Sequence, residues 1–252
     1  MGLQALRTST SVDANLMTTD EYNTIKYYTA QLPFGADVIR SLGEIILRYG
    51  LEARVGALYV HRHFEMPPAS IVLKFAVSEE IEVARMSQIA SLERKDIHGT
   101  SFRLMEGQRF QAFEYASNSP TPELPASFLH ELAQFLNDNR LNEVLGLFIR
   151  TSSNQQTSCE LNLSEPRVSV SIPLKEVPDD VLLEATPASW VYSTRCDQPN
   201  AVNYCSDPDP KVRCDHSKQP DSDVRLLEII TNVCRKRGLD PEIRLGGKGL
   251  CI

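Results

Sequence analysis

Two stretches of this chain follow one plan. Leu32-Pro33 precedes an amphipathic segment, a turn and Val55-Gly56-Ala57-Leu58-Tyr59-Val60. Leu124-Pro125 precedes a second such segment, a turn and Leu145-Gly146-Leu147-Phe148-Ile149-Arg150. The two glycines lie 90 residues apart and the two Leu-Pro pairs 92 apart. In the first copy Val38, Leu42, Ile45, Ile46 and Tyr49 recur at helical spacing over Gly35–Tyr49, and Gly50 follows as a left-handed cap. In the second, Ser127 is the expected cap of a helix to about Asn139, with Phe128, Leu132, Phe135 and Leu136 inward. Two copies are too few for a solenoid. They would instead bury matching sheet faces together. The expectation is a single α+β domain with a duplicated helix–turn–strand–hairpin unit, its halves about 32–116 and 124–175. Helix–turn–strand units resemble one another in unrelated folds, so coincidence of element order stays open beside duplication.

The remaining segments fill in around that plan. Residues 1–17 are polar and without periodicity, and read as a flexible arm. The strand Val55–His63 is broken by Pro67-Pro68. Alternation along it sets Ala57, Tyr59, His61 and His63 on one face, and Leu58, Val60, Arg62 and Phe64 on the other. Ile71–Val77 reads as a strand and Glu79–Ser91 as a short helix carrying Ile81, Met86 and Ile89. Phe102–Glu106 and Arg109–Ala116 read as a hairpin around Gly107, and 117–125 as a proline-rich linker. Val144–Arg150 is a further strand. Ser158–Leu163 and Arg167–Ile172 form a second hairpin turning at Glu165-Pro166. The domain is thus drawn over 18–192, with Trp190 and Tyr192 in its core or lining a pocket. Residues 193–222, rich in Asp, Pro and Cys, read as a long irregular loop. A last helix, from about Asp223 to Arg237, turns Val224, Leu227, Ile230 and Val233 to one face, and a tail completes 223–252. The glycine-rich stretch 245–249 has no following helix and makes a poor phosphate loop.

The chain's 252 residues can bury a sizeable core, and its 42% apolar and 23% charged content is that of a globular protein. No apolar run approaches the length of a membrane-spanning helix, so no membrane partner is expected. Met1 to Asp20 carries Arg7 but no apolar stretch, which does not read as a secretory signal. The six cysteines are therefore expected as thiols in a reducing cytoplasm. The net charge of −7 disfavours a protein that coats nucleic acid generically, while leaving room for a local basic patch.

The sharpest chemical feature is His61-Arg62-His63-Phe64-Glu65. On a continuing strand His61, His63 and Glu65 would share a face at a pocket mouth. Two imidazoles and a carboxylate suit general acid–base work near neutral pH. They also suit a divalent metal with open positions. A third reading is a polar strand end whose histidines are merely hydrogen-bonded. The expected site is His61, His63 and Glu65 as catalytic groups, Arg62 and Tyr59 as substrate contacts, and no cofactor, with a divalent metal at His61/His63 as the alternative. Cys196, Cys205, Cys214 and His216 could hold zinc, but their spacing departs from the usual close Cys pairs, and a metal-free mobile loop is expected. His98 reads as a turn residue and His130 as solvated. No nucleophile elbow, dinucleotide fingerprint or Walker loop is present.

The run from Tyr49-Gly50-Leu51 through Val55-Gly56-Ala57-Leu58-Tyr59-Val60-His61-Arg62-His63-Phe64 resembles a group of filamentous-fungal proteins. These carry a helix, a Tyr-Gly turn and a strand ending in His-Arg/Lys-His-Phe. The resemblance covers about residues 33–75 and implies a fungal cytosolic protein. In size and in lacking standard motifs the chain is also similar to the arginine-containing cyclodipeptide synthases, which join tRNA-activated amino acids into diketopiperazines. That similarity implies aminoacyl-tRNA as a partner, with Arg48, Arg54 and Arg62 as a basic patch. Three functions follow as expectations. The first is a secondary-metabolite enzyme forming an arginine-containing diketopiperazine. The second is a metal-dependent small-molecule enzyme using His61 and His63. The third is a non-catalytic protein binding a partner through Asp197 to Asp223.

Overall fold

The computed structural model describes residues 16–27, 34–93, 97–106, 109–117, 122–150, 157–163, 167–182, 186–193, 200–206 and 219–239. In chain order the elements are α1 (Thr19–Asn23), α2 (Ala36–Arg48), β1 (Val55–Tyr59), β2 (Ser70–Ala76), β3 (Glu82–Gln88), β4 (Ile97–Met105), β5 (Arg109–Ser117), α3 (Ala126–Asp138), β6 (Leu145–Ile149), β7 (Ser158–Leu163), β8 (Val168–Pro173), α4 (Asp179–Leu182), β9 (Thr186–Val191), β10 (Asn200–Ser206) and α5 (Gln219–Lys236). The strands close into a mixed barrel in the order β1-β6-β4-β5-β2-β3-β8-β7-β10-β9. This is the expected α+β domain.

The duplication is written into the pairing. β2 lies parallel to β5, as β7 does to β10. The β2–β3 hairpin matches β7–β8, and β4–β5 matches β9–β10. β4 pairs with β6, as β9 does with β1. The two remaining seams, β1–β6 and β3–β8, each join a strand to its own counterpart. Even the irregularities repeat: register slips flank Ser101↔Glu114 in one half and Ser189↔Asn203 in the other. The second half therefore runs on through β10, beyond the expected boundary at 175.

Local chemistry explains why the copies keep their shape. Helices α2 and α3 are each 13 residues long and bury one apolar stripe. After α2, Gly50 takes φ 64, and its counterpart after α3 is Arg140 at φ 58. Beyond these left-handed residues Leu51 N–H donates to Ile46 O and Leu141 N–H donates to Leu136 O, closing both helices in the same way. Gly56 and Gly146 each allow close approach of the neighbouring strand. A Cβ would strike Trp190 O in the first case and Phe102 O in the second.

Three helical caps cover the barrel. Ile39, Leu42 and Ile46 of α2 and Phe128, Leu132 and Leu136 of α3 pack on Val55, Ala57, Leu145 and Leu147. Trp190 and Tyr192 belong to this core, and the Tyr192 hydroxyl donates to Ile39 O at 3.0 Å. Helix α5 lays Leu226, Ile230, Val233 and Cys234 over Cys159, Leu161, Val170 and Ile172. Its inward face is thus turned from the expected one, and Val224 is exposed. The segment of α1 supplies Met17, Tyr22 and Ile25 to a third cluster with Val60, Phe64, Val72 and Phe113. That cluster closes one end of the barrel. No helix among the described residues is long and apolar enough to cross a membrane.

Several expectations change. Glu79–Ser91 holds strand β3, followed by a 3-10 turn at Ile89–Ser91, because Ile81 and Val83 pack outward while residue 82 faces inward. Helix α3 starts at Ala126 from Pro125, with no side-chain cap from Ser127. His98 lies within β4 and not in a turn. The expected loop 193–222 contains β10, which carries Cys205, and α5 begins at Gln219. Cys196, Cys214 and His216, the tail, the arm 1–15 and both expected hairpin turns lie outside the described residues.

Two predictions follow from the repeated features. Gly56→Ala and Gly146→Ala should each lower stability by about 1–3 kcal/mol through overpacking, read from urea unfolding. A neutral effect at either would contradict the close strand approach. Arg140→Gly should raise stability by about 1 kcal/mol by relieving a left-handed non-glycine residue, and an unmoved midpoint would count against strain there.

Candidate functional site

Strands β7 and β8 read Ser-Cys-Glu-Leu-Asn-Leu and Val-Ser-Val-Ser-Ile-Pro, alternating apolar and polar. The apolar set faces α5. The polar set faces the inside of the barrel, not solvent: Glu160, Asn162 and Ser169 are buried. The interior is a cavity of about 550 Å³. Leu58, Phe113, Phe148 and Ala188 form apolar wall, and exposed Glu79 and Ser117 mark its mouth. The α1 cluster lies below its other end.

At that closed end ionisable side chains converge. His61 and His63 are 7% and 4% exposed, and Glu114 and Glu160 each 4%. The two imidazoles meet edge to face with ring centroids 4.8 Å apart. His63 Nε2 lies 3.0 Å from Glu114 Oε1 and 3.5 Å from Glu160 Oε1. Lys74 Nζ stands 2.9 Å from Glu114 Oε2 and 3.9 Å from Glu82 Oε1. The Ser101 hydroxyl donates to the same Glu114 oxygen as Lys74. Ligand atoms of His61, His63 and Glu160 all lie within 4.8 Å of one another.

Backbone irregularity aims these groups. The paired register slips put Thr100 and Ser101 on the cavity together, and likewise Phe113 and Glu114, where regular alternation would turn one of each pair away. Beyond Tyr59 the chain leaves the sheet. Arg62 makes an isolated bridge to Tyr27, donates to Asn23 O at 2.7 Å and stacks on the Tyr27 ring. This detour swings His61 and His63 inward although Ala57 and Tyr59 pack outward. His61 Nδ1 lies 2.9 Å from Tyr59 O. A carbonyl only accepts, so Nδ1 carries the proton and Nε2 is the basic nitrogen.

The charges hold one another in place. Burial opposes ionisation of Glu114, but Lys74, His63 and Ser101 outweigh it and hold the carboxyl well below its ordinary range. Glu160 is lowered in the same way by His63 and Lys74. Burial also works against the charge on His63, yet Glu160 and Glu114 raise its pKa to about 9. His61 moves down, through burial and the neighbouring His63 charge. Burial raises Glu82, with Lys74 opposing.

The structure thus keeps His61 and His63 but seats them at the closed floor and not at a pocket mouth. Glu65 is exposed and lies off the site; Glu114 and Glu160 are the carboxylates beside the histidines. Arg62 is engaged by the α1 segment and does not line the cavity, whereas Tyr59 borders it while its ring packs against Phe34 and Trp190. Glu114, Glu160, Lys74 and Ser101 were not expected. The signal that could have found them is a charged residue inside an otherwise apolar strand, as in Ile71-Val72-Leu73-Lys74-Phe75 and Ala112-Phe113-Glu114-Tyr115.

Glu114→Gln and Lys74→Met should each destabilise the fold by about 3–5 kcal/mol, because each strands a buried charge. The double variant should lose clearly less than the two added together. Additive losses in a urea double-mutant cycle would show that the pair is not coupled. The chain matches no protein-family model, and comparison with curated proteins and with solved structures gives no match.

Proposed function

We propose that this chain is an enzyme that converts a small, partly apolar molecule inside the barrel, with His61, His63, Glu114 and Glu160 as the reactive end. The observation that carries this reading is the convergence of five ionisable side chains, these four and Lys74, on the closed floor of the cavity. Buried ion pairs contribute little net stability compared with apolar filling of the same volume. The layer beneath is filled in the apolar way, by Val60, Val72 and Ala84. Charged groups held at a cavity floor are therefore better explained by chemistry than by packing. A volume near 550 Å³ lies in the range of small-molecule sites.

The division of labour follows from the contacts. Glu114 is anchored through both oxygens and acts as a fixed negative post for His63 and Lys74. His61 lines the cavity with Nε2 unprotonated, an electron-pair donor for a proton or an ion. The wall of Leu58, Phe113 and Phe148 would take the apolar part of the substrate.

Formation of a cyclic dipeptide is one chemistry of this kind, and such a product is small enough for the cavity. Arg150 at the mouth would favour a tRNA end, whereas Glu79 and Glu80 on the same rim disfavour a polyanion. A free small molecule is accordingly the better-supported substrate. A reducing cytoplasmic setting belongs to the proposal, in keeping with the free buried thiols of Cys159 and Cys234. Partner binding through Asp197 to Asp223 draws its support from residues mostly outside those described.

Wild type and His61→Ala should be expressed in a heterologous host and compared by untargeted metabolite profiling, with thermal midpoints measured on both. A product made by wild type and lost in the variant, at a midpoint within a few degrees, is the expected result. Unchanged output from the variant, or output lost only in step with unfolding, would overturn the reading. Product formation abolished by ribonuclease in a cell-free assay would move the substrate to aminoacyl-tRNA.

A further inference from the structure

We infer that the cavity floor is a binding site for one divalent first-row transition-metal ion, held by His61, His63 and Glu160. This inference rests on the reading of that floor as the reactive end of the cavity. The donor set is two imidazole nitrogens and one carboxylate, all buried and within 4.8 Å of one another. Two donors at about 2.1 Å from a common ion lie up to about 4.2 Å apart, so small side-chain adjustments complete the site. Imidazole donors favour zinc, iron, cobalt or nickel over calcium or magnesium.

Three further observations point to a cation. The first concerns His61, whose Nδ1–H is fixed on the Tyr59 carbonyl at 2.9 Å. A backbone carbonyl on the remote nitrogen is the usual outer support of a metal-bound histidine, and it leaves Nε2 as the donor. The second concerns His63. Its Nδ1 is sealed from solvent with no hydrogen-bond partner among the described residues, while Nε2 faces Glu114 and Glu160. Turning the ring to place one nitrogen on an ion and the other on a carboxylate would satisfy both. The third is charge. Glu114 and Glu160 both lie against His63, at 3.0 and 3.5 Å, so an ion bound there would meet carboxylate as well as imidazole.

The remaining groups suit an outer shell. Glu114, anchored by Ser101 and Lys74, stands 3.0 Å from His63 and would orient that ring on the metal. Three protein ligands leave coordination positions open, and the cavity above is where a substrate atom would reach them.

The test uses the full-length chain. Metal content is measured on protein purified without added metal. Stripped protein is then titrated with Co²⁺ and followed by its ligand-field absorption, for wild type, His61→Ala and Glu160→Gln. Thermal midpoints accompany each, and the isosteric Glu160→Gln guards against loss of fold in the alanine variant. Wild type should bind about one equivalent saturably. Each variant should bind more weakly by more than the roughly 10- to 100-fold that losing an outer-shell partner costs. Absence of saturable binding by folded wild type, or equal binding by folded Glu160→Gln, overturns the inference. The two proposals fail separately. A wild type that makes product without metal removes the ion and keeps the enzyme. A wild type that binds Co²⁺ tightly yet makes no product keeps the ion and removes the enzyme.

Discussion

The β1–β6 ladder is where the two halves of the molecule first meet, and closure of the barrel depends on it. Val55 faces Ile149 and Tyr59 faces Leu145 across this seam. Each strand also pairs on its other edge, β1 with β9 and β6 with β4. With both edges paired, strands so rich in apolar residues have no open ladder to offer another chain. The glycines beside the seam let those outer strands approach closely enough to bond. Closure at β3–β8 on the far side then seals an interior that α2, α3 and α5 cover from outside.

A closed interior changes the meaning of alternation. In an open sheet the serines of Val168–Pro173 would face water. Here they face an enclosed space, and the apolar face is the one under α5. The polar lining is tolerated because its charged members pair: Lys74 with Glu114, and His63 with Glu114 and Glu160. A charge without such a partner would cost several kcal/mol at this depth.

The sequence could reveal what is local. Helical spacing located α2 and α3, and β-rich runs located β1, β2, β6, β7 and β8. The repeat was legible because its helix–turn–strand entry keeps constant spacing, down to Gly56 and Gly146. What escaped depended on distant neighbours. β3 reads as a helix in sequence because Ile81, Met86 and Ile89 fit either period over so short a run. β10 lies in a segment whose Asp and Pro content reads as loop, and its strand character comes from pairing with β7 and β9. The site was half visible. His61 and His63 announce themselves, but Glu114 and Glu160 come from strands 51 and 97 residues further along than His63, and two register slips aim the first of them. No local pattern encodes that convergence.

The plug formed by Met17, Tyr22 and Ile25 has a consequence for traffic. It closes the barrel on the side of the histidines, so among the described residues the rim near Glu79 and Ser117 is the opening of the cavity. Were the proposed reaction to run at the floor, a molecule transformed there would leave by the path its successor needs. Product would then compete with substrate for the same doorway.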